Sequence, residues 1–171
     1  MRERRVANER RLLDLLAAEN PEGLTLAGWE SREGGDIARV ALLDTPAYRI
    51  GGGIVRRHEV RLVLPEYFPS VPIEAYLEVP VAHANVHPVN GFVCLWDRHA
   101  KGDTVIEALR QLQRIITWQL WNSNPNHNMQ PDLGECAPLP YRELAAPASY
   151  TRDRAPAAPR RPRQRLTPAE D

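Results

Sequence analysis

Cys94 is the residue around which reactive side chains gather. In the stretch His83-Ala84-Asn85-Val86-His87-Pro88-Val89-Asn90-Gly91-Phe92-Val93-Cys94-Leu95-Trp96, a thiol follows two imidazoles and two amides, and His99 comes shortly after it. A thiol beside an imidazole can act as a nucleophile, because the imidazole favours the reactive thiolate. His87 and His99 are the sequence neighbours suited to that task. The same residue types bind zinc, which makes His83, His87, Cys94, His99 and Cys136 possible ligands. No Cys-x-x-Cys pair or helical His-x-x-x-His spacing accompanies them, and the His83 to His87 interval lies in a loop ended by Pro88, so no metal is expected. The local signatures of Cys-His-Asn proteases are absent too. On residue type alone, Cys94 stays open between a nucleophile and a small buried hydrophobe. Cys136, in Gly134-Glu135-Cys136-Ala137-Pro138, reads as inert.

The elements that must position this stretch are an early helix, a run of strands and a second helix. Val6, Leu12, Leu13, Leu15 and Leu16 among Arg and Glu predict an amphipathic helix from Arg4 to Asn20, stopped by Pro21. Leu24–Trp29 and Ile37–Leu43 read as strands on either side of the turn Glu33-Gly34-Gly35-Asp36. Gly51-Gly52-Gly53 lacks the Lys-Ser/Thr of a phosphate loop and reads as a strand connection. Alternation over Ile54–Leu64 and Ile73–Val79 predicts two further strands, joined by Pro65-Glu66-Tyr67-Phe68-Pro69-Ser70-Val71-Pro72, whose prolines exclude a central strand. Pro80 to Asp103 is irregular, and long irregular loops are usually functional. Thr104 and Glu107 have capping-box spacing, and Ile106, Leu109, Leu112, Ile116 and Leu120 recur at helical intervals until Asn122-Ser123-Asn124-Pro125-Asn126. The expected class is α+β: an N-terminal helix, an antiparallel meander of about four strands, a cysteine-bearing loop and a long central helix.

Composition narrows the function. The 171 residues carry zero formal net charge, which excludes the basic excess of a dedicated nucleic-acid binder. No apolar run approaches a membrane span, and Met1-Arg2-Glu3-Arg4-Arg5 does not open a signal peptide, so a cytoplasmic location is expected. After Leu144 the chain turns to Ala, Pro and Arg. The expected division is a catalytic domain over 1–146 and a disordered Pro/Arg-rich tail over 147–171. Residues 152–171 are basic, with six arginines against three acids, and the remainder is acidic. The 22 basic residues include a single lysine, Lys101.

Taken in order, the turn Tyr67-Phe68-Pro69-Ser70-Val71-Pro72, the following strand, His83-Ala84-Asn85, Asn90-Gly91-Phe92-Val93-Cys94-Leu95, the long helix and Asn124-Pro125 resemble the core of the ubiquitin-conjugating enzymes. The resemblance spans roughly residues 5 to 135, with its specific part at about 65 to 126. It implies that Cys94 carries a ubiquitin-like protein as a thioester, and that Asn85 supports an oxyanion or the loop around it. His83 would brace that loop, and Asn90-Gly91 would turn Cys94 outward. The implied partners are a ubiquitin-like modifier, an adenylating activating enzyme and a target protein whose amine accepts the modifier. The chain itself would need no cofactor, since its partner spends the ATP. A binding module of the same fold that holds the modifier without charging is the alternative.

The motifs depart from the family pattern in places. Asn85 is one residue farther from Cys94 than is usual, and Asp97-Arg98-His99-Ala100-Lys101-Gly102-Asp103 replaces a segment that helps bind ligases. Asn124-Pro125-Asn126-His127-Asn128 stands where the family has carboxylates that steer or deprotonate the incoming lysine, so His127 is the substitute expected there, with Asp132 a second candidate. The reduced C-terminus and the arginine-rich composition resemble the bacterial conjugating enzymes of antiphage operons, which also encode a metallopeptidase. With lysine so scarce, Lys101 is the expected site of self-conjugation.

Overall fold

The computed structural model describes residues 2–96, 102–122 and 127–150. Leu12, Leu13 and Leu16 share one side of α1 (Arg2–Glu19) and are buried in a core that also takes in α2 (Val105–Ile116). Helix α1 stops because the Asn20 side chain donates to the Leu16 carbonyl at 2.8 Å and Pro21 has no amide proton to continue the ladder. Five antiparallel strands, β1 (Leu24–Arg32), β2 (Gly35–Leu42), β5 (His58–Pro65), β6 (Glu74–Leu77) and β7 (Phe92–Val93), form one sheet in the order β1-β2-β5-β6-β7. A separate hairpin of β3 (Ala47–Tyr48) and β4 (Ile54–Val55) turns through Gly51-Gly52-Gly53.

The α+β class follows the pattern read from the sequence. The expected meander gains a fifth strand, because Ala75 pairs with Val93 and Tyr76 with Phe92. Gly91, just before β7, has φ +70°, and a Cβ there would lie 1.9 Å from the Leu77 carbonyl oxygen. Only glycine lets the loop come this close to β6.

Helix α2 buries Val105, Ile106, Leu109, Leu112, Ile115 and Ile116, each contributing about 1.5–3 kcal/mol of burial. Its first turn is held twice. Thr104 caps the Glu107 amide, and the buried Glu9 carboxylate of α1 accepts the Val105 amide at 2.8 Å. Burial raises the Glu9 carboxyl above its ordinary value, against the opposing pull of that hydrogen bond and of Arg5. The helix ends at Ile116, before the Leu120 that periodicity suggests. Trp118 takes φ +61° so that its indole is buried and donates to the Ala82 carbonyl at 3.0 Å, and Leu120 is left exposed.

Beyond the helix, residues 139–150 run back along α2 as an extended strap. Leu139 donates its amide to Thr117, the buried Gln113 donates to Arg142 and accepts from Leu144, and Glu143 pairs with Arg110 and Arg114. Pro147 is buried, and the Tyr150 hydroxyl lies 3.0 Å from the Thr104 hydroxyl at the start of α2. Residues 151–171, most of the expected tail, lie outside the described residues. Among the described residues no helix is long and apolar enough to cross a membrane.

Candidate functional site

A small hairpin carries Cys94. The Cys94 amide donates to the Asn85 carbonyl at 2.9 Å, Val86 bridges Val93, and the His87 amide donates to the Phe92 carbonyl at 2.8 Å. Asn85 and Cys94 are therefore cross-strand partners, and the residues between them form the turn. His87 accepts the amides of Val89 and Asn90 on Nδ1, while the Asn90 side chain accepts the Phe92 amide. His87 thus shapes the turn and is not among the side chains around Cys94.

The sulfur meets a residue distant in sequence. Cys94 Sγ lies 3.2 Å from His127 Nδ1. The segment bearing His127 is fastened to the hairpin and the loop before it. Asn85 Nδ2 donates to the His127 carbonyl at 3.2 Å, Met129 donates its amide to Ala84 at 2.8 Å, and Gln130 Nε2 donates to the carbonyls of Val81 and Val86 at 2.9 Å each. Asn85 Oδ1 accepts the Asn122 amide at 2.9 Å, so one buried amide joins the hairpin to both sides of the 123–126 segment.

His83 is fully buried. It accepts the Asn85 amide on Nδ1 at 3.0 Å and donates Nε2–H to the Leu120 carbonyl at 3.2 Å, which fixes the neutral tautomer. Burial pushes its pKa down to about 4, with the Leu120 bond acting weakly against that. Its ring lies 4.3 Å from that of Trp118, so the end of α2 and the loop before Cys94 are packed as one unit.

A pocket of about 140 Å³ opens beside the half-buried Cys94. Its walls include Asn85, Trp96, Gln111, Leu120 and Trp121, and Gln111 donates to the Leu95 carbonyl at 3.2 Å. The arrangement presents a thiol at the mouth of a polar and aromatic cleft, with an imidazole on its sulfur.

The structure brings together Cys94, Asn85, His83 and His127. Asp132 is exposed and outside this group, and Cys136 is a free thiol against the Gly134 carbonyl. His99, Lys101, Asn124, Pro125 and Asn126 lie outside the described residues. Among the described residues no group of three His, Cys, Asp or Glu could hold a metal ion. Trp118, Asn122 and Gln130 join the site without having been marked by any motif. The nearest signal is for Asn122, which opens the run that stops the predicted helix.

No family model matches this sequence, and no curated protein matches it either. Among solved structures, the chain is similar to a protein from Plasmodium yoelii assigned as a ubiquitin conjugating enzyme, with a TM-score of 0.52 and 14% identity over 75% of this chain and 80% of that one. It is also similar to one from Trypanosoma cruzi with the same assignment, with a TM-score of 0.51 and 15% identity over 76% of this chain and 85% of that one. At these identities the likeness is one of fold, and the α+β architecture is that of ubiquitin-conjugating-enzyme-like proteins.

Proposed function

We propose that this chain is a carrier in the conjugation of a ubiquitin-like protein. Cys94 accepts the modifier's C-terminal carbonyl from the cysteine of an adenylating activating enzyme and passes it to an amine of a target protein. The observation that carries this reading is the contact of Cys94 Sγ with His127 Nδ1 at 3.2 Å, held beside Asn85 in a fold similar to that of the two structures above.

In the first step the Cys94 thiolate forms a new carbon–sulfur bond to the modifier, and the activating enzyme's thiolate leaves. In the second step the target amine forms a carbon–nitrogen bond, Cys94 leaves as thiolate, and the amine gives up a proton. Asn85 has one amide hydrogen on the His127 carbonyl, and its second is available to the oxyanion of each tetrahedral intermediate. His83 is a positioning residue: neutral at pH 7, it orients Asn85 without reaching the sulfur. His127 occupies the place of the family's steering carboxylate and takes the proton of the incoming amine.

The partners on this reading are the modifier, the activating enzyme and the target, with a metallopeptidase acting on the modifier. The setting is a bacterial antiphage operon and a cytoplasmic enzyme, and a gene for an adenylating enzyme beside this one is the expected neighbour. Incubation with that adenylating enzyme, its ubiquitin-like protein and ATP is expected to give an adduct cleaved by thiol reductant and absent in Cys94→Ala. An adduct that survives in Cys94→Ala, or tight modifier binding with no adduct, overturns the proposal.

A further inference from the structure

The position of His127 allows more than reception of the amine's proton. Its Nδ1 faces the sulfur itself, and its segment is pinned to the hairpin and the loop before it by Asn85, Met129 and Gln130. The pairing is therefore set by the fold. Among the described residues the pocket beside Cys94 has no carboxylate or other charged side chain on its walls. His83 stands behind Asn85, bonded to its backbone amide, and is kept neutral by burial.

We infer that His127 activates Cys94 as a thiolate–imidazolium pair, and that the same imidazole serves both halves of the transfer cycle. This rests on the reading of Cys94 as the acyl carrier. An ordinary cysteine is about 3% thiolate at pH 7, and an adjacent imidazolium raises that fraction.

The protons balance around the cycle. The Cys94 S–H proton moves to His127 Nδ1, and the thiolate attacks the modifier's thioester carbonyl. The activating enzyme's thiolate leaves and recovers a proton from the His127 imidazolium. The thioester sulfur now carries no charge to hold an imidazolium, so His127 stands neutral beside it. It can then accept the proton that the amine nitrogen releases as the carbon–nitrogen bond forms. When Cys94 departs as thiolate, the starting pair is restored. A carboxylate at position 127 could receive the second proton but would oppose thiolate formation in the first half, since like charges repel.

The test uses the full chain in a Cys136→Ser background, with iodoacetamide as the probe, so that neither modifier nor activating enzyme is needed. The rate of Cys94 alkylation against pH is expected to reach half its plateau at least about one pH unit lower in the parent than in His127→Asn, which keeps a polar group near the sulfur but cannot hold a proton there. His127→Asp is expected to lie at or above the asparagine curve. Because a more acidic thiol is also a weaker nucleophile, the gain in rate at pH 6 is expected to be about threefold per unit of displacement. The ¹⁵N shifts of the His127 ring at pH 7.5 are expected to change from protonated to neutral once carbamidomethylation caps Cys94, the capped sulfur standing for the thioester. Superimposable alkylation curves for the three proteins, or ring shifts unaffected by capping, overturn the inference. Neither outcome depends on whether the thioester with a modifier forms, so failure here is separable from failure of the carrier reading.

Discussion

Asn85 Nδ2 donates to the backbone carbonyl of His127 at 3.2 Å, so the amide that stands across the hairpin from the cysteine also sets where the imidazole sits. Position and chemistry at this site depend on one buried side chain, whose other end holds the Asn122 amide.

Asn85→Ala removes both tethers. Stability is expected to fall by about 1–2 kcal/mol, the usual effect of leaving buried polar groups without partners. Single-turnover charging of Cys94 and discharge to free lysine are both expected to slow at least about tenfold. Urea melts and quenched-flow adduct formation measure the two effects, and unchanged charging in a destabilised variant would assign Asn85 to loop support alone.

The buried neutral His83 makes the fold sensitive to mild acid. Its folded value of about 4 lies below the ordinary 6.5, so the unfolded chain binds more protons between those limits and stability falls as pH drops through that window. The loss from this residue is expected to be about 2 kcal/mol at pH 5. His58, also lowered by burial against its bond to Thr45, acts in the same direction, whereas Glu9, raised by burial, acts in the opposite one. The difference in urea midpoint between pH 7 and pH 5 is therefore expected to shrink in His83→Gln relative to the parent.

Gly91→Ala places a Cβ against the Leu77 carbonyl at a φ that side chains rarely adopt. A loss of about 3 kcal/mol or more is expected, because the clash is with backbone on β6 and cannot be relieved by a rotamer change. Since β7 leads directly into Cys94, the alkylation rate of the thiol should change with it. An alanine variant as stable and as reactive as the parent would contradict the close approach.

Lys101 is the sole lysine of the chain. Prolonged charging without a target is expected to leave a reductant-resistant adduct that peptide mapping assigns to Lys101 and that Lys101→Arg removes. An adduct persisting in that variant would place self-conjugation elsewhere.

The order of the main elements is legible in the sequence, because alternation marks β5 and β6, and the four residues Cys94, Asn85, His83 and His127 that the structure gathers are all named there, since motif spacing picks them out. Strands β3 and β7 are not legible, since two residues are too few to alternate, and the strand expected over Ile54–Leu64 is divided between β4, which pairs with β3, and β5 of the main sheet. The end of α2 escapes for a different reason. The apolar stripe runs on to Leu120, but burial of the Trp118 indole against His83 and Ala82 turns the backbone sooner. His127 stands out by its place after Asn124-Pro125, yet no local pattern says that a ring 33 positions away will touch the sulfur. The strap left one clue, Gln113 within an otherwise apolar face, because a polar group buried there must find partners, and it finds them at Arg142 and Leu144.

The strap also ties the two ends of α2 together. Its course returns the backbone from the far end of α2 to the near one, so that Tyr150 rests on Thr104 and Glu107. Tyr150 thereby clasps the strap to the first turn of α2, so anything that loosens the strap also loosens the cap that starts the helix.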